Sequence, residues 1–251
     1  MKIVIIGAGI NGLVAANYLQ KSGVEVTLLE AKKNVGGAVS TDSFSYKGKK
    51  YIYPTGASIL GLMQDFIFED TGLSKITSLY SPKHPELVYF SGEEIPCRIF
   101  NDQEKLLSEL KNKWNEHGNV QQFFLDMEKV ILFLQQGYKK AEVPTVHQAI
   151  QVLGAKLVKL WITGSARNLL DHYLTSDQAK VFFSIPVTES GPVFLGTPYS
   201  AFSIPLMSSG SVLGGQWGYV KGGIWEITQA LSKINKKLGV KTITEAEVKK
   251  V

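Results

Sequence analysis

Gly7, Gly9 and Gly12 stand in a Gly-x-Gly-x-x-Gly spacing directly behind an apolar run at residues 3–6, and Glu30 closes a second apolar run. These residue types suit the binding of a dinucleotide rather than the breaking of a bond. Gly7 permits a tight bend out of a strand. Gly9 has no Cβ, so a pyrophosphate can approach the backbone. Gly12 lets the next helix pack closely on the sheet. Ala8, Ile10 and Asn11 fill the turn, and the helix that begins there presents free N–H groups and a partial positive charge to phosphate oxygens. The carboxylate of Glu30, with Ala31 beside it, can accept both hydroxyls of an adenosine ribose and repels a 2′-phosphate. Glycines fall at this spacing by chance. The order strand, turn, helix, strand, acid gives the spacing its meaning.

The elements that must position these residues are readable nearby. Residues 3–6, within a strand expected at 2–6, are β-branched without alternation, which predicts a parallel strand buried on both faces. Residues 11–20 predict a helix with Leu13, Ala16, Tyr18 and Leu19 as its buried stripe, ended by Gly23. Residues 25–29 form the second strand. A second glycine pair, Gly36-Gly37, follows Glu30, and an NAD-binding turn has no need of it. Far downstream, residues 214–223 are glycine-rich and precede a helical pattern of Ile224, Ile227, Leu231, Ile234 and Leu238. Gly239 closes that helix, and strands are expected at 240–243 and 246–251.

Taken together, the first turn, the pair Gly36-Gly37 and the segment from Trp217 to Val251 resemble the FAD-dependent oxidoreductases of the phytoene desaturase and amine oxidase superfamily. The resemblance is closest to the group typified by pyridine nucleotide-disulfide oxidoreductase domain-containing protein 2. It implies an α/β fold: a Rossmann-like FAD-binding sheet with an inserted, mainly helical substrate domain of α+β type. The implied division is 1–58 and 214–251 for the FAD-binding domain and 59–213 for the substrate domain. The resemblance also implies cofactor contacts. Gly36 and Gly37 pass close to the FAD pyrophosphate, with Ala38 where many members have an arginine. Gly56 and Ser58 neighbour the flavin, and Val248 holds the adenine through its backbone. Bland alternatives stay open for the last three: a simple loop for Gly56 and Ser58, a core valine for Val248. Members run to roughly double this length. The chain is therefore expected to correspond to an N-terminal half, with three readings open: a partner polypeptide supplies the rest, the gene product is truncated, or self-association completes it.

The middle of the chain predicts a hairpin at 44–53 turning at Lys47-Gly48, a helix at 59–70 stopped by Gly72, and a second hairpin at 87–100 turning at 91–94. Asn101 with Glu104 reads as a capping box for a helix through His117. Further helices are expected at 121–138 (Phe124, Met127, Ile131 and Leu134 inward), 146–161, 165–174 and 176–184. Phe182, Phe183, Phe194, Tyr199, Phe202 and Met207 are candidates to line an apolar pocket over the flavin.

Composition excludes several classes. The 251 residues are 44% hydrophobic with a net charge of +5. The lysines are scattered, so no nucleic-acid surface is expected, although weak attraction to anionic lipid surfaces stays open. Cys97 is the single cysteine, which rules out a redox pair and fits a reducing, cytoplasmic compartment. His84, His117, His147 and His172 lack metal-ligand spacing, so no metal is expected. No leader and no membrane span are expected. No catalytic acid or base stands out. Three functions remain: an FAD-dependent oxidoreductase transferring hydride to or from a lipophilic or amine substrate, a non-catalytic nucleotide-binding or assembly module, and an NAD-dependent dehydrogenase.

Overall fold

Apolar residues at 3–6 and 24–29 build a small parallel sheet. In the computed structural model, which describes residues 1–82, 86–189, 191 and 193–251, β1 (Lys2–Ile6) pairs with β2 (Glu25–Leu29), and β2 pairs with β9 (Lys241–Ile243). All three run parallel, with Ile6 opposite Leu29 and Leu29 opposite Ile243. His84 lies outside the described residues. The chain divides into two units, Met1–Ser81 with Val212–Val251, and Pro82–Ser211.

In the first unit, α1 (Ile10–Lys21) joins β1 to β2, and α10 (Trp225–Leu238) leads into β9. Ile3, Ile5, Val26 and Leu28 pack with Leu13, Ala16, Ile227 and Leu231 in one core. The opposite face is open: Val4 is 59% exposed and Ile6 55%. The expectation of burial on both faces fails because the helices of this core lie on one side and β1 is a sheet edge. The stripe of α1 is also corrected. Leu13 and Ala16 are buried, but Asn17 joins them and Tyr18 is exposed. Positions 13, 16 and 17 share a helix face, whereas 18 turns away. The Asn17 amide donates to Asn235 Oδ1 at 2.9 Å, and the Asn235 amide donates to the Leu13 carbonyl at 2.8 Å, tying α1 to α10.

The hairpin of β3 (Thr41–Tyr46) and β4 (Lys49–Pro54) forms as expected, with Lys47 at φ 48° and Gly48 at φ 73°. The helix expected at 59–70 is shorter, α2 (Asp65–Asp70). Leu60 exchanges backbone bonds with Gly218 in both directions at 2.9 Å, and Val212 donates to the Met63 carbonyl. Those bonds take the groups a helix needs. A 3-10 turn at Leu73–Lys75 follows, and β5 (Leu79–Tyr80) pairs with β8 (Tyr219–Val220). Residues 59–81 therefore lie in the first unit, not in the inserted segment. No strand forms at 246–251. Glu245 adopts φ 57°, and the chain turns so that Ala246 donates to the Glu30 carbonyl.

The second unit begins with the hairpin β6 (Glu86–Val88) and β7 (Cys97–Ile99). Its helices are α3 (Gln103–Trp114), α4 (Val120–Lys140), α5 (Val146–Leu153), α6 (Ala155–Leu157), α7 (Ala166–Tyr173), α8 (Asp177–Glu189) and α9 (Ser203–Met207). Asp102, not Asn101, caps α3 by accepting from Lys105 N, and left-handed Asn115 ends it before His117. On α4 the buried apolar residues are Val120, Phe123, Val130 and Leu134, a face shifted toward Phe123 from the expected Phe124. The helix expected at 146–161 breaks at Gly154 and ends in a π-helical turn, Val158–Ile162. Phe182 and Phe183 pack into the core with Trp114, Phe123 and Phe124, whereas Phe194 and Tyr199 are exposed. Among the described residues, no helix is long and apolar enough to cross a membrane.

Buried Glu116 ties the α3–α4 connection to the start of α8. It accepts from the amides of Gly118 (2.6 Å), Thr175 (2.9 Å) and Ser176 (2.9 Å) and from the Thr175 hydroxyl (2.8 Å). Burial alone pushes its pKa up, but the amides of Ser176, Thr175 and Gly118 and the hydroxyl together hold it below the ordinary value. A carboxyl with a depressed folded pKa stabilises the fold above its unfolded pKa, and that contribution is lost as pH falls through the folded value. Glu116→Gln is expected to cost about 1–3 kcal/mol at pH 7, with a shallower fall in stability on acidification. Urea unfolding from pH 7 downward checks both.

Candidate nucleotide-binding site

β1 ends at Ile6, and Gly7 at φ 97° bends the chain while donating to the Leu29 carbonyl at 2.7 Å. Only glycine adopts that backbone cheaply. Gly9 is extended at the N-cap of α1, no side chain caps the helix, and its first turn carries no acid. Among the described residues, the leading amides and the positive end of the dipole therefore have no side-chain cap. Gly12 has a reason the sequence reading placed elsewhere: a Cβ there would lie 2.1 Å from the Gly7 carbonyl oxygen. The turn closes on the helix it starts, and Ile5 is the nearest sheet side chain.

The second glycine pair stacks on the first. Gly36 bridges Gly9 in parallel, and its amide donates to the Ala8 carbonyl at 2.9 Å. A Cβ on Gly37 would stand 3.1 Å from Gly9 Cα, and one on Gly36 would stand 2.6 Å from the Val39 carbonyl oxygen. A Cβ on Gly9, by contrast, meets only Gly37 Cα at 3.9 Å, an ordinary contact. Inside the chain, then, Gly9 tolerates a methyl group while Gly12, Gly36 and Gly37 do not. The Ala38 carbonyl accepts from Ala57 N at 2.9 Å, and a Cβ on Gly56 would come within 2.3 Å of that same oxygen. Gly56 is therefore required by this loop-to-loop approach. Gly37, Ala38, Gly56 and Ser58 are exposed on the outer side of it.

Glu30 is 8% exposed and fastens the turn. Its Oε2 accepts from Ala8 N at 2.8 Å and its Oε1 from Lys32 N at 2.9 Å. Ala8 is fully buried, with its N–H bonded to Glu30 and its C=O to Gly36. Ala8 thus holds the turn together, and Ile10, Asn11 and Gly12 carry the leading amides of the helix. Each Glu30 oxygen retains a second acceptor position. The Glu30 backbone binds the Ile243 carbonyl and the Ala246 amide, so the segment with Val248 starts at the same place. Ala31 is exposed beside it, and Val248 is half-buried.

Beyond the start of α1 lies an apolar cleft of about 590 Å³, lined by Ile10, Val14, Leu60, Met63, Trp217 and Ile224 among others. Gly61 floors it: a Cβ there would sit 2.1 Å from the Trp217 ring. The expected pocket residues 182–207 belong to the second unit and take no part in this cleft. Sequence reasoning also missed Thr228 of α10, fully buried, whose hydroxyl lies 3.3 Å from the Val39 carbonyl and beside Gly36. The spacing Ile227, Leu231, Asn235 carried a signal for Asn235, since it puts a polar residue on an apolar stripe.

Residues 5–66 match the family of NAD(P)-binding Rossmann-like domains. The chain is similar to 4,4'-diapophytoene desaturase (4,4'-diaponeurosporene-forming) of Staphylococcus aureus, 27% identical over 267 aligned residues that take in 100% of this chain and 49% of the desaturase. It spans about half the length of the curated relatives it matches. It superposes on cyclohexylamine oxidase of Brevibacterium oxydans with a TM-score of 0.56 at 18% identity, covering 97% of this chain and 51% of the oxidase. An oxidoreductase of Methanosarcina mazei superposes with a TM-score of 0.53 at 22% identity, covering 100% and 53%. The fold is the Rossmann-like α/β fold of these oxidoreductases.

Gly12→Ala is expected to lower stability by about 1–3 kcal/mol or more, because backbone must move to admit the methyl group. Gly9→Ala is expected to stay within about 0.5 kcal/mol of the parent chain. Chemical unfolding of the two variants side by side checks the contrast.

Proposed function

We propose that the unit Met1–Ser81 with Val212–Val251 binds FAD, and that the chain is an FAD-dependent oxidoreductase of the phytoene desaturase and amine oxidase type, or a part of one. Within that superfamily the proposed affinity is to the group of pyridine nucleotide-disulfide oxidoreductase domain-containing protein 2. The observation that carries the reading is the stacking of Gly36-Gly37 on the first glycine turn, at an uncapped helix start with Glu30 at its flank. The dinucleotide fingerprint needs only the first glycine turn, and in this reading the second glycine pair serves the further length of FAD. The residues fit the group: amides are free where a diphosphate sits, and Glu30 keeps acceptor capacity for ribose hydroxyls.

In this reading the amides of Ile10, Asn11 and Gly12 orient the diphosphate, and bare Gly9 lets it approach. Glu30, flanked by Ala31, grips the ribose. Gly36, Gly37 and Ala38 pass under the middle of the cofactor, Gly56 and Ser58 lie toward its ring, and Val248 meets the adenine. FAD supplies hydride acceptance or donation at a carbon–carbon or carbon–nitrogen bond. The apolar cleft excludes water and takes a lipophilic or amine-bearing substrate.

Two other readings stand beside it. The match to NAD(P)-binding domains favours NAD as ligand. A binding or assembly module without turnover is the second. Separate titrations with FAD and NAD, followed by flavin absorbance and by protein fluorescence, decide the first. Steady reduction of bound flavin by a substrate decides the second. Gly9→Ala is expected to weaken FAD binding by about tenfold or more, a loss near 1.4 kcal/mol, with unchanged thermal stability. Binding of NAD alone, or equal FAD affinity in the variant, would overturn the assignment.

A further inference from the structure

Within the second unit, a cavity of about 560 Å³ opens between the start of α4, the α5–α6 segment and the end of α7. It shares no residue with the cleft beside α1, and its size falls in the range of roughly 300–1,000 Å³ that small-molecule sites occupy. One wall is apolar: Leu153, Leu157 and Leu160 line it, each half-buried. The chain departs from regular helix to build that wall. Gly154 breaks α5 at φ 83°, and Val158–Ile162 winds as a π-helical turn. The turn buries Val158 and Trp161 in the core and leaves Leu160 on the cavity. Such turns within helices occur frequently at functional sites.

The rest of the lining is polar, and its groups divide into engaged and free. Asp126 is engaged: its Oδ1 accepts from Lys129 Nζ and its Oδ2 from the Tyr173 hydroxyl, each at 2.8 Å. Burial pushes its pKa up, but the bonds from Lys129, Tyr173 and Gln122 hold it below the ordinary carboxylate value. Three exposed groups are free to donate into the cavity. Lys156 Nζ and the ring nitrogens of His172 have no hydrogen-bond or ion-pair partner among the described residues, and His172 only sets its ring edge-on to Tyr173. Asn119 caps α4 with its Oδ1 and keeps its amide N–H groups. We propose that this cavity binds a small amphipathic carboxylate, its head held by Lys156, His172 and Asn119 and its apolar chain laid on Leu153, Leu157 and Leu160. Because Lys129 already pairs with Asp126, the unpaired charge on the lining is the Lys156 ammonium, which favours an anion over a neutral or cationic head. The donors are separate N–H groups, which suit the lone pairs of a carboxylate. Bidentate phosphate recognition uses arginine, and the lining has none. The site lies wholly in the second unit, so the proposal is independent of the nucleotide assignment.

The test uses the 251-residue chain with decanoate as the probe, decanol and decylamine as its neutral and cationic counterparts, and decyl phosphate as the alternative anion. Calorimetric titration is expected to show saturable decanoate binding, with decanol and decylamine at least about tenfold weaker. Hydrogen exchange is expected to slow at residues 153–160 and to stay unchanged at residues 60–63, which line the cleft beside α1. The double variant Lys156→Met with His172→Phe is expected to unfold at the same urea concentration, because both side chains face solvent. It is expected to lose at least about tenfold in decanoate affinity with decanol binding unchanged. Lys156→Met alone is expected to weaken decanoate in the same direction, and Lys156→Arg to retain it, so the outcome does not depend on the double variant folding. No saturable decanoate binding, binding of decanol, decylamine or decyl phosphate as tight as that of decanoate, unaltered decanoate affinity in Lys156→Met, or protection confined to residues 60–63 would each overturn the proposal.

Discussion

A carboxylate buried at the end of β2 joins three pieces of the first unit. Glu30 holds the Ala8 amide with one oxygen and the Lys32 amide with the other, while its own backbone binds Ile243 and Ala246. Through Ala8 it fixes the first glycine turn, and through Ala8 again the turn receives the Gly36 amide. Two loops of bare backbone are thereby stacked at the start of α1. A buried carboxylate without partners is costly, so the site is stable only while the turn keeps its shape. The same interaction serves folding and, in the proposed function, recognition.

The site is assembled by the return of the chain. α10 sits against α1 through the Asn17–Asn235 pair and reaches the second glycine loop through Thr228. β9 completes the sheet beside β2. These partners are more than 180 residues apart in sequence, so the turn acquires its support late, after a costly loop closure. The intervening unit has its own core and its own polar braces. There Tyr173, pushed up to about 12 by burial and by Asp126, donates to Asp126 and accepts from Trp161. These ionisable groups hold helices together: each is engaged by a neighbour inside the unit. The perturbed groups of the second unit therefore read as structural.

The open side of β1 belongs to the same logic. A sheet with one helical layer and a free edge satisfies only part of what parallel strands require. The apolar surface at Val4 and Ile6 is part of the strand that supplies the glycine turn.

Local signals in the sequence determined the order strand, turn, helix, strand, acid, the turn at Lys47-Gly48, and the existence of most helices, because each depends on neighbours within a few residues. The candidate residues Gly7, Gly9, Gly12, Glu30, Gly36 and Gly37 were legible for that reason. Only the tertiary structure decided that Ala8 fastens the turn from within, that Gly12 and Gly56 face carbonyl oxygens, and that Asn17 replaces Tyr18 in the core. It also decided that residues 59–64 forgo a helix, that 246–251 pair with no strand, and that Val4 and Ile6 face outward. Each of these outcomes is set by a hydrogen bond or a packed surface from a distant part of the chain, and the identity of such a partner is not encoded in the residues on either side.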